Sequence, residues 1–191
     1  MSSYTGEMRP VQSNAWRTRD IVVTAVIAVA FGVVFAALNA AWPFLEWAGP
    51  ARYALYGIWL LPAIVAPLII RKPGAALFAE MVAASLSLLI VNQWGPSVLL
   101  SGFVQGLAAE LVFAATRYRL WSWPVLIAAS LASTAAAWIH DRIFFFPTAS
   151  MDFMATIGVF MAISAVVLMP LAAVGLVRAL RNAGVLEGFP A

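Results

Sequence analysis

Six apolar runs, each close to the length of a membrane crossing, alternate along this chain with short polar breaks. They cover roughly 20–41, 53–70, 74–92, 97–116, 123–143 and 153–177. A helix needs about 20 apolar residues to cross the ~30 Å hydrocarbon layer of a bilayer. A soluble core has no use for so many such runs in 191 residues. Hydrophobic residues make up 64% of the chain and charged ones 10%, against roughly 45–50% and about 25% in soluble domains. Backbone polar groups in lipid must be paired within the protein, and long continuous apolar runs achieve that as helices. The expected fold is therefore all-α: a polytopic membrane protein, a bundle of six transmembrane helices in one domain over 16–191. The polar residues 1–15 are expected to form a disordered tail.

The basic residues give the orientation. Arg17/Arg19, Arg71/Lys72, Arg117/Arg119 and Arg178/Arg181 fall before the first run, between the second and third, between the fourth and fifth, and after the sixth. All four clusters belong to one side, and the positive-inside rule places that side, with both termini, in the cytoplasm. Trp16, Trp121 and Trp123 suit an inner aromatic belt, and Trp42, Trp47 and Trp94 an outer one. The net charge of +3 marks topology here and forms no nucleic-acid patch. The first run follows a positive segment as a signal peptide's would, but it is too long and lacks a cleavage site, so it is read as a span.

Several chemistries are excluded by composition. The chain has no Cys and one His, so thiolate and multi-histidine metal sites are out. It contains neither a P-loop nor the usual zinc-protease and nucleophile-elbow motifs. His140 and Asp141 are adjacent, and helix neighbours diverge by about 100°, which makes them a poor catalytic pair. No enzyme is expected, and no bound cofactor.

Ionisable and polar groups inside a span are costly and mark function. Glu80 lies eight residues beyond Lys72, about 12 Å along a helix and near mid-membrane. Its face continues through Ala84 and Ser87, which points it inward as a ligand contact, or else as a carboxyl bonded to a neighbouring helix. Glu110 has similar depth on the Gly102-Gly106-Glu110 row, where small residues let helices approach; it serves packing or a ligand. Gln105 points about 140° away from Glu110 and is a candidate cavity amide. Tyr56 and Trp59, at i and i+3, can stack on a flat or cationic ligand. Asn92 ends the third run as a cap or a rim contact, Asn39 is similar on the first, and Asp141 forms either an ion pair with Arg142 or part of the rim. Asp20 reads as a helix N-terminal acid only. Ala28, Gly32, Ala36 and Ala40 form a small-xxx-small face suited to close packing on another helix, inside or outside the chain.

Three segments, YGIWLLPAIVAPLIIRKPGAALFAE (56–80), NQWGPS (92–97) and QGLAAELVFAATRY (105–118), resemble the YkoE-type substrate-binding (S) components of energy-coupling factor transporters. The resemblance runs with gaps from near Trp16 to about Asp141. It implies a bacterial plasma-membrane protein that captures thiamine or its hydroxymethylpyrimidine precursor from outside. Such a protein docks on a transmembrane coupling subunit driven by two ATPase subunits, which consume the ATP. The docking face of S components would correspond to Ala28, Gly32 and Ala36. Glu80, Trp59, Tyr56, Asn92, Gln105, Asn39, Glu110 and Asp141 are the candidate ligand contacts. Two other readings are compatible with the sequence. One is a stand-alone ion-coupled transporter with Glu80 and Glu110 as proton carriers; the other is a ligand-free membrane assembly subunit.

Overall fold

The computed structural model describes residues 15–91 and 93–189, and among these every regular element is helical. The helices are α1 (Thr18–Ala41), α2 (Pro62–Ile70), α3 (Ala75–Ile90), α4 (Ser97–Ala115), α5 (Trp123–Phe144), α6 (Met151–Ile163) and α7 (Met169–Asn182). A 3-10 helical stretch, Trp42–Leu60, joins α1 to α2, and one π-helical turn, Ser164–Leu168, joins α6 to α7. Residues 1–14 of the expected tail lie outside the described residues.

Four helical runs are long and apolar enough to cross a membrane: Thr18–Ile70, Ser97–Ala115, Trp123–Phe144 and Met151–Asn182. The sequence-based expectation separated Thr18–Ile70 into two spans. In the structure the intervening segment is helical on both sides of Gly49, whose φ 53° and ψ −135° are not helical and kink the run there. The third expected span is α3, which at 16 residues is about 24 Å long, shorter than the ~30 Å apolar layer.

α2 is the centre of the molecule. All nine of its residues are buried, as a helix apolar on every side must be. It is surrounded by α1, α3, α4, α5 and α7. α3 packs between α1 and α4, α5 lies on the far side of α4, and α6 covers the 3-10 stretch. Small residues set these approaches. A Cβ on Gly32 would come within 2.8 Å of Leu86 Cβ, and one on Gly106 within 2.9 Å of Glu80 Cβ.

That packing corrects the reading of Ala28, Gly32 and Ala36 as an external docking face. All three are buried within the chain; Ala28 clusters with Ala66 of α2 and Ala79 of α3, and Gly32 lies against Leu86 and the Ala83 carbonyl of α3. A row of small residues reports close approach without saying which helix approaches, and here the partner is internal.

The basic clusters gather at one end. Lys72 Nζ pairs with Asp20 Oδ2 at 2.5 Å, and Trp16 Nε1 donates to the Pro73 carbonyl at 2.8 Å. Arg19 donates to the Gly188 carbonyl at 2.7 Å, and the Arg71 guanidinium lies over the Trp121 ring. Asp20 therefore does more than start a helix. It accepts from the Arg17 N–H and ties α1 to the α2–α3 turn through Lys72.

Candidate functional site

A cavity of about 600 Å³, counted to its open mouth, lies at the end of the bundle away from the basic clusters. Five elements build it, each by its own periodicity. α1 contributes Phe35 and Asn39, followed by Trp42 at the helix end, spaced i, i+4, i+7 on one face. α3 contributes Glu80, Ala84 and Ser87 at i, i+4, i+7. α4 gives Ser101, Gly102 and Gln105, and α5 gives Asp141, followed by Phe145. The 3-10 stretch presents Tyr53, Tyr56 and Trp59 at intervals of three, which align on one face because a 3-10 helix turns every three residues.

The aromatic side of the cavity is a connected wall. Trp59 meets Trp42 edge-on with centroids 4.7 Å apart and Tyr56 at 5.4 Å; Tyr56 stacks on Tyr53 at 6.3 Å. Trp94, packed on Phe145 with centroids 5.0 Å apart, lines the same cavity. Flat aromatic faces suit a planar ring.

The polar groups are few and mostly fixed. Glu80 is 1% exposed. Its Oε2 accepts from the Ala63 N–H at 3.2 Å, the carboxyl's one hydrogen bond to a described residue. That donor exists because Pro62 starts α2 in mid-bundle, and the first N–H groups of a helix have no partner within it. Glu80 thus stands at the positive end of a buried half-helix and also faces the cavity. Asn39 donates to Ser87 Oγ at 3.1 Å and the Val91 carbonyl at 3.0 Å, and accepts from Trp94 Nε1 at 3.3 Å. Gln105 donates to Ser101 Oγ. Asp141 accepts from the Tyr56 hydroxyl at 2.8 Å and faces His140 Nδ1 at 3.1 Å.

A family model described as the permease component of an ABC-type cobalt transport system matches residues 19–136. A solved structure described as an S component of an ECF transporter superposes with a TM-score of 0.85, at 36% identity over 91% of this chain and 90% of that one. The chain belongs to the S components of energy-coupling factor transporters. A curated relative from Bacillus subtilis (strain 168), YkoE, named as an HMP/thiamine permease protein, is 42% identical over 129 residues. The matched region is 66% of this chain and spans 65% of that relative's length. The S component is a membrane transport protein and not an enzyme.

Within this S component, six of the eight expected ligand contacts line one cavity: Glu80, Trp59, Tyr56, Gln105, Asn39 and Asp141. Asn92 lies outside the described residues. Glu110 does not belong to the group. Its carboxylate accepts from the Gly74 N–H at 2.6 Å, the Ala76 N–H at 2.9 Å, the Leu77 N–H at 3.4 Å and the Tyr118 hydroxyl at 2.7 Å. It caps the start of α3 from α4, at the basic end, and is corrected from ligand contact to structural anchor. The opposed directions expected for Gln105 and Glu110 place one in the cavity and the other outside it.

Three further departures concern residues near the mouth. Trp42 and Trp94 turn into the cavity instead of forming an outer belt, whereas Trp47 is 85% exposed as a belt residue would be. Asp141 makes no pair with Arg142, which instead donates to the Phe146 carbonyl. His140 and Asp141 do touch, Nδ1 to Oδ1 at 3.1 Å, despite their helical divergence. Tyr53 was missed by taking the stretch as an ordinary helix; a period of three, extended back from Tyr56, finds it.

Proposed function

We propose that this S component captures thiamine or its hydroxymethylpyrimidine precursor from the outside of a bacterial plasma membrane. The observation that carries the reading is a cavity joining an aromatic wall to a buried carboxyl, Glu80, and the amides of Asn39 and Gln105. An aminopyrimidine offers two flat faces, an exocyclic amine donor and ring acceptors. Trp59 and Tyr56 stack on the ring, Glu80 takes the amine or balances the thiazolium of thiamine, and Asn39 and Gln105 meet the remaining edge. Asn92 is proposed as a rim contact and Asp141 as part of the wall behind Tyr56. The family model's description names cobalt. Among the described residues no three His, Cys, Asp or Glu side chains come together as a metal cargo would require, so an organic ring is the better match.

A membrane arrangement belongs to the same proposal. The chain crosses six times, with the 3-10 stretch and α2 as the second crossing and α6, the π turn and α7 as the sixth. The basic end and both termini face the cytoplasm, and the cavity opens outward. Transport requires a transmembrane coupling subunit and two ATPase subunits. Within the row Ala28, Gly32 and Ala36, Gly32 packs on Leu86 of α3, which supports a docking surface elsewhere on the bundle.

The ion-coupled alternative is weaker, because its second proton carrier, Glu110, is held by four donors outside the cavity. Reconstitution tests the choice. Vesicles holding only this chain should bind labelled thiamine or hydroxymethylpyrimidine without accumulating it, and should accumulate it when the coupling and ATPase subunits are added with ATP. Gradient-driven accumulation by the chain alone would contradict the capture reading.

A further inference from the structure

The wall behind Tyr56 holds a chain of groups whose proton count can be worked out from geometry. His140 and Asp141 are 4% and 3% exposed. His140 Nε2 lies 3.1 Å from the Ser97 carbonyl oxygen. A carbonyl only accepts, so Nε2 carries a proton. Nδ1 lies 3.1 Å from Asp141 Oδ1, and a hydrogen must stand between them, supplied by the ring or by the carboxyl. Whichever atom holds it, the two residues together are neutral: imidazolium with carboxylate, or imidazole with carboxylic acid. The Tyr56 hydroxyl donates to the other oxygen, Oδ2, at 2.8 Å. The other titratable groups near this chain are Tyr53, stacked on Tyr56, Glu80 in the same cavity, and Arg142, next along α5, which donates to the Phe146 carbonyl. Arg52 lies farther out, over the Tyr53 and Trp42 rings. α4 contributes the Ser97 carbonyl, Ser101 and Gln105, none of them charged.

We infer that His140 is a specificity-determining residue: by sharing a proton with Asp141 it keeps that wall of the cavity neutral and leaves Glu80 as its one uncompensated acid. The inference rests on the vitamin-capture reading and concerns how the site weighs a cationic against an uncharged form of the same ring. A second bare carboxylate would favour thiamine, whose thiazolium is permanently positive, over hydroxymethylpyrimidine. A neutral wall allows the site to accept the uncharged ring as well.

Calorimetry of both ligands with the purified full chain separates the two claims. Wild-type protein that binds neither ligand overturns the capture reading and this inference with it. If wild type binds, Asp141→Asn is the next variant. Its amide accepts from Tyr56 and donates to a neutral His140, so net charge is unchanged. The expected ratio of thiamine to hydroxymethylpyrimidine affinity stays within about threefold of wild type, and a tenfold or greater selective loss of thiamine (about 1.4 kcal/mol) overturns the inference alone. His140→Asn keeps a donor to Asp141 but supplies no group to share the proton. At about pH 8, where a carboxyl is ordinarily ionised, its affinity ratio should lie at least threefold further toward thiamine than that of wild type; an unchanged ratio counts against the inference. The chain has one histidine, so 15N NMR of labelled protein reads it without ambiguity even where a variant loses both ligands. Nε2 should carry a proton in wild type, as its contact with the Ser97 carbonyl requires, and an unprotonated Nε2 overturns the assignment.

Discussion

Two glutamates of neighbouring helices, which the sequence puts at similar depth, have opposite roles, and the difference lies in their donors. Glu110 meets three backbone N–H groups and a phenol, which is full occupation for a carboxylate. Glu80 meets one N–H and faces a cavity. Glu80→Gln should therefore weaken binding by at least tenfold, about 1.4 kcal/mol, with little change in unfolding temperature; wild-type affinity would make Glu80 a structural group. Glu110→Ala should do the reverse, costing about 3 kcal/mol of stability while a folded fraction binds normally. Tyr118 adds a pH signature to this anchor. Burial, then its bond to Glu110, pushes the phenol above its usual value. The protonated form is thus favoured in the folded state, and its contribution is fully present below about pH 10, fading only as pH rises through the elevated folded value. Thermal unfolding of Tyr118→Phe against wild type should show a constant difference up to about pH 9. Neither glutamate's donor set was visible in the sequence, since both depend on which helix N-terminus lies opposite.

At the scale of elements, periodicity was legible and partners were not. The row Glu80-Ala84-Ser87 was readable as one inward face, and it lines the cavity. The boundaries of α1, α4 and α5 follow the apolar runs closely. The 3-10 stretch was hidden because its apolar content matches an α-helix; only its turn of three residues distinguishes it, and that moves Tyr53 into the aromatic wall. A break at Pro62 is expected, because proline lacks the N–H that would continue the helical ladder, but the carboxyl that meets the next N–H, Glu80, sits on another helix. The small residues of α1 were legible as a packing face whose partner the sequence could not name. Gly32→Leu tests the internal assignment. Overpacking against Leu86 should cost about 1–3 kcal/mol and lower both unfolding temperature and ligand affinity. Intact stability and binding with loss of transport alone would restore an external docking role.

For the whole molecule, two ends of different chemistry define its work. One end is tied by cations, Trp16 and Glu110; the other holds aromatic rings around an open cavity. The charge pattern alone allowed this polarity to be read, because loop cations act one by one and need no tertiary contact. The chain has no cysteine, so single-cysteine labelling is clean. In intact cells, Thr148→Cys near the mouth should react with a membrane-impermeant maleimide, and Glu187→Cys at the basic end should react only after lysis; the opposite pattern would invert the topology. The central claim is that the cavity is a receptor for a thiamine-type ring. Isothermal calorimetry of the purified chain with thiamine and with hydroxymethylpyrimidine tests it most directly. At least one should bind with a Kd of about 1 μM or tighter, near −8 kcal/mol, whereas absence of heat and of tryptophan quenching for both up to about 1 mM would contradict it.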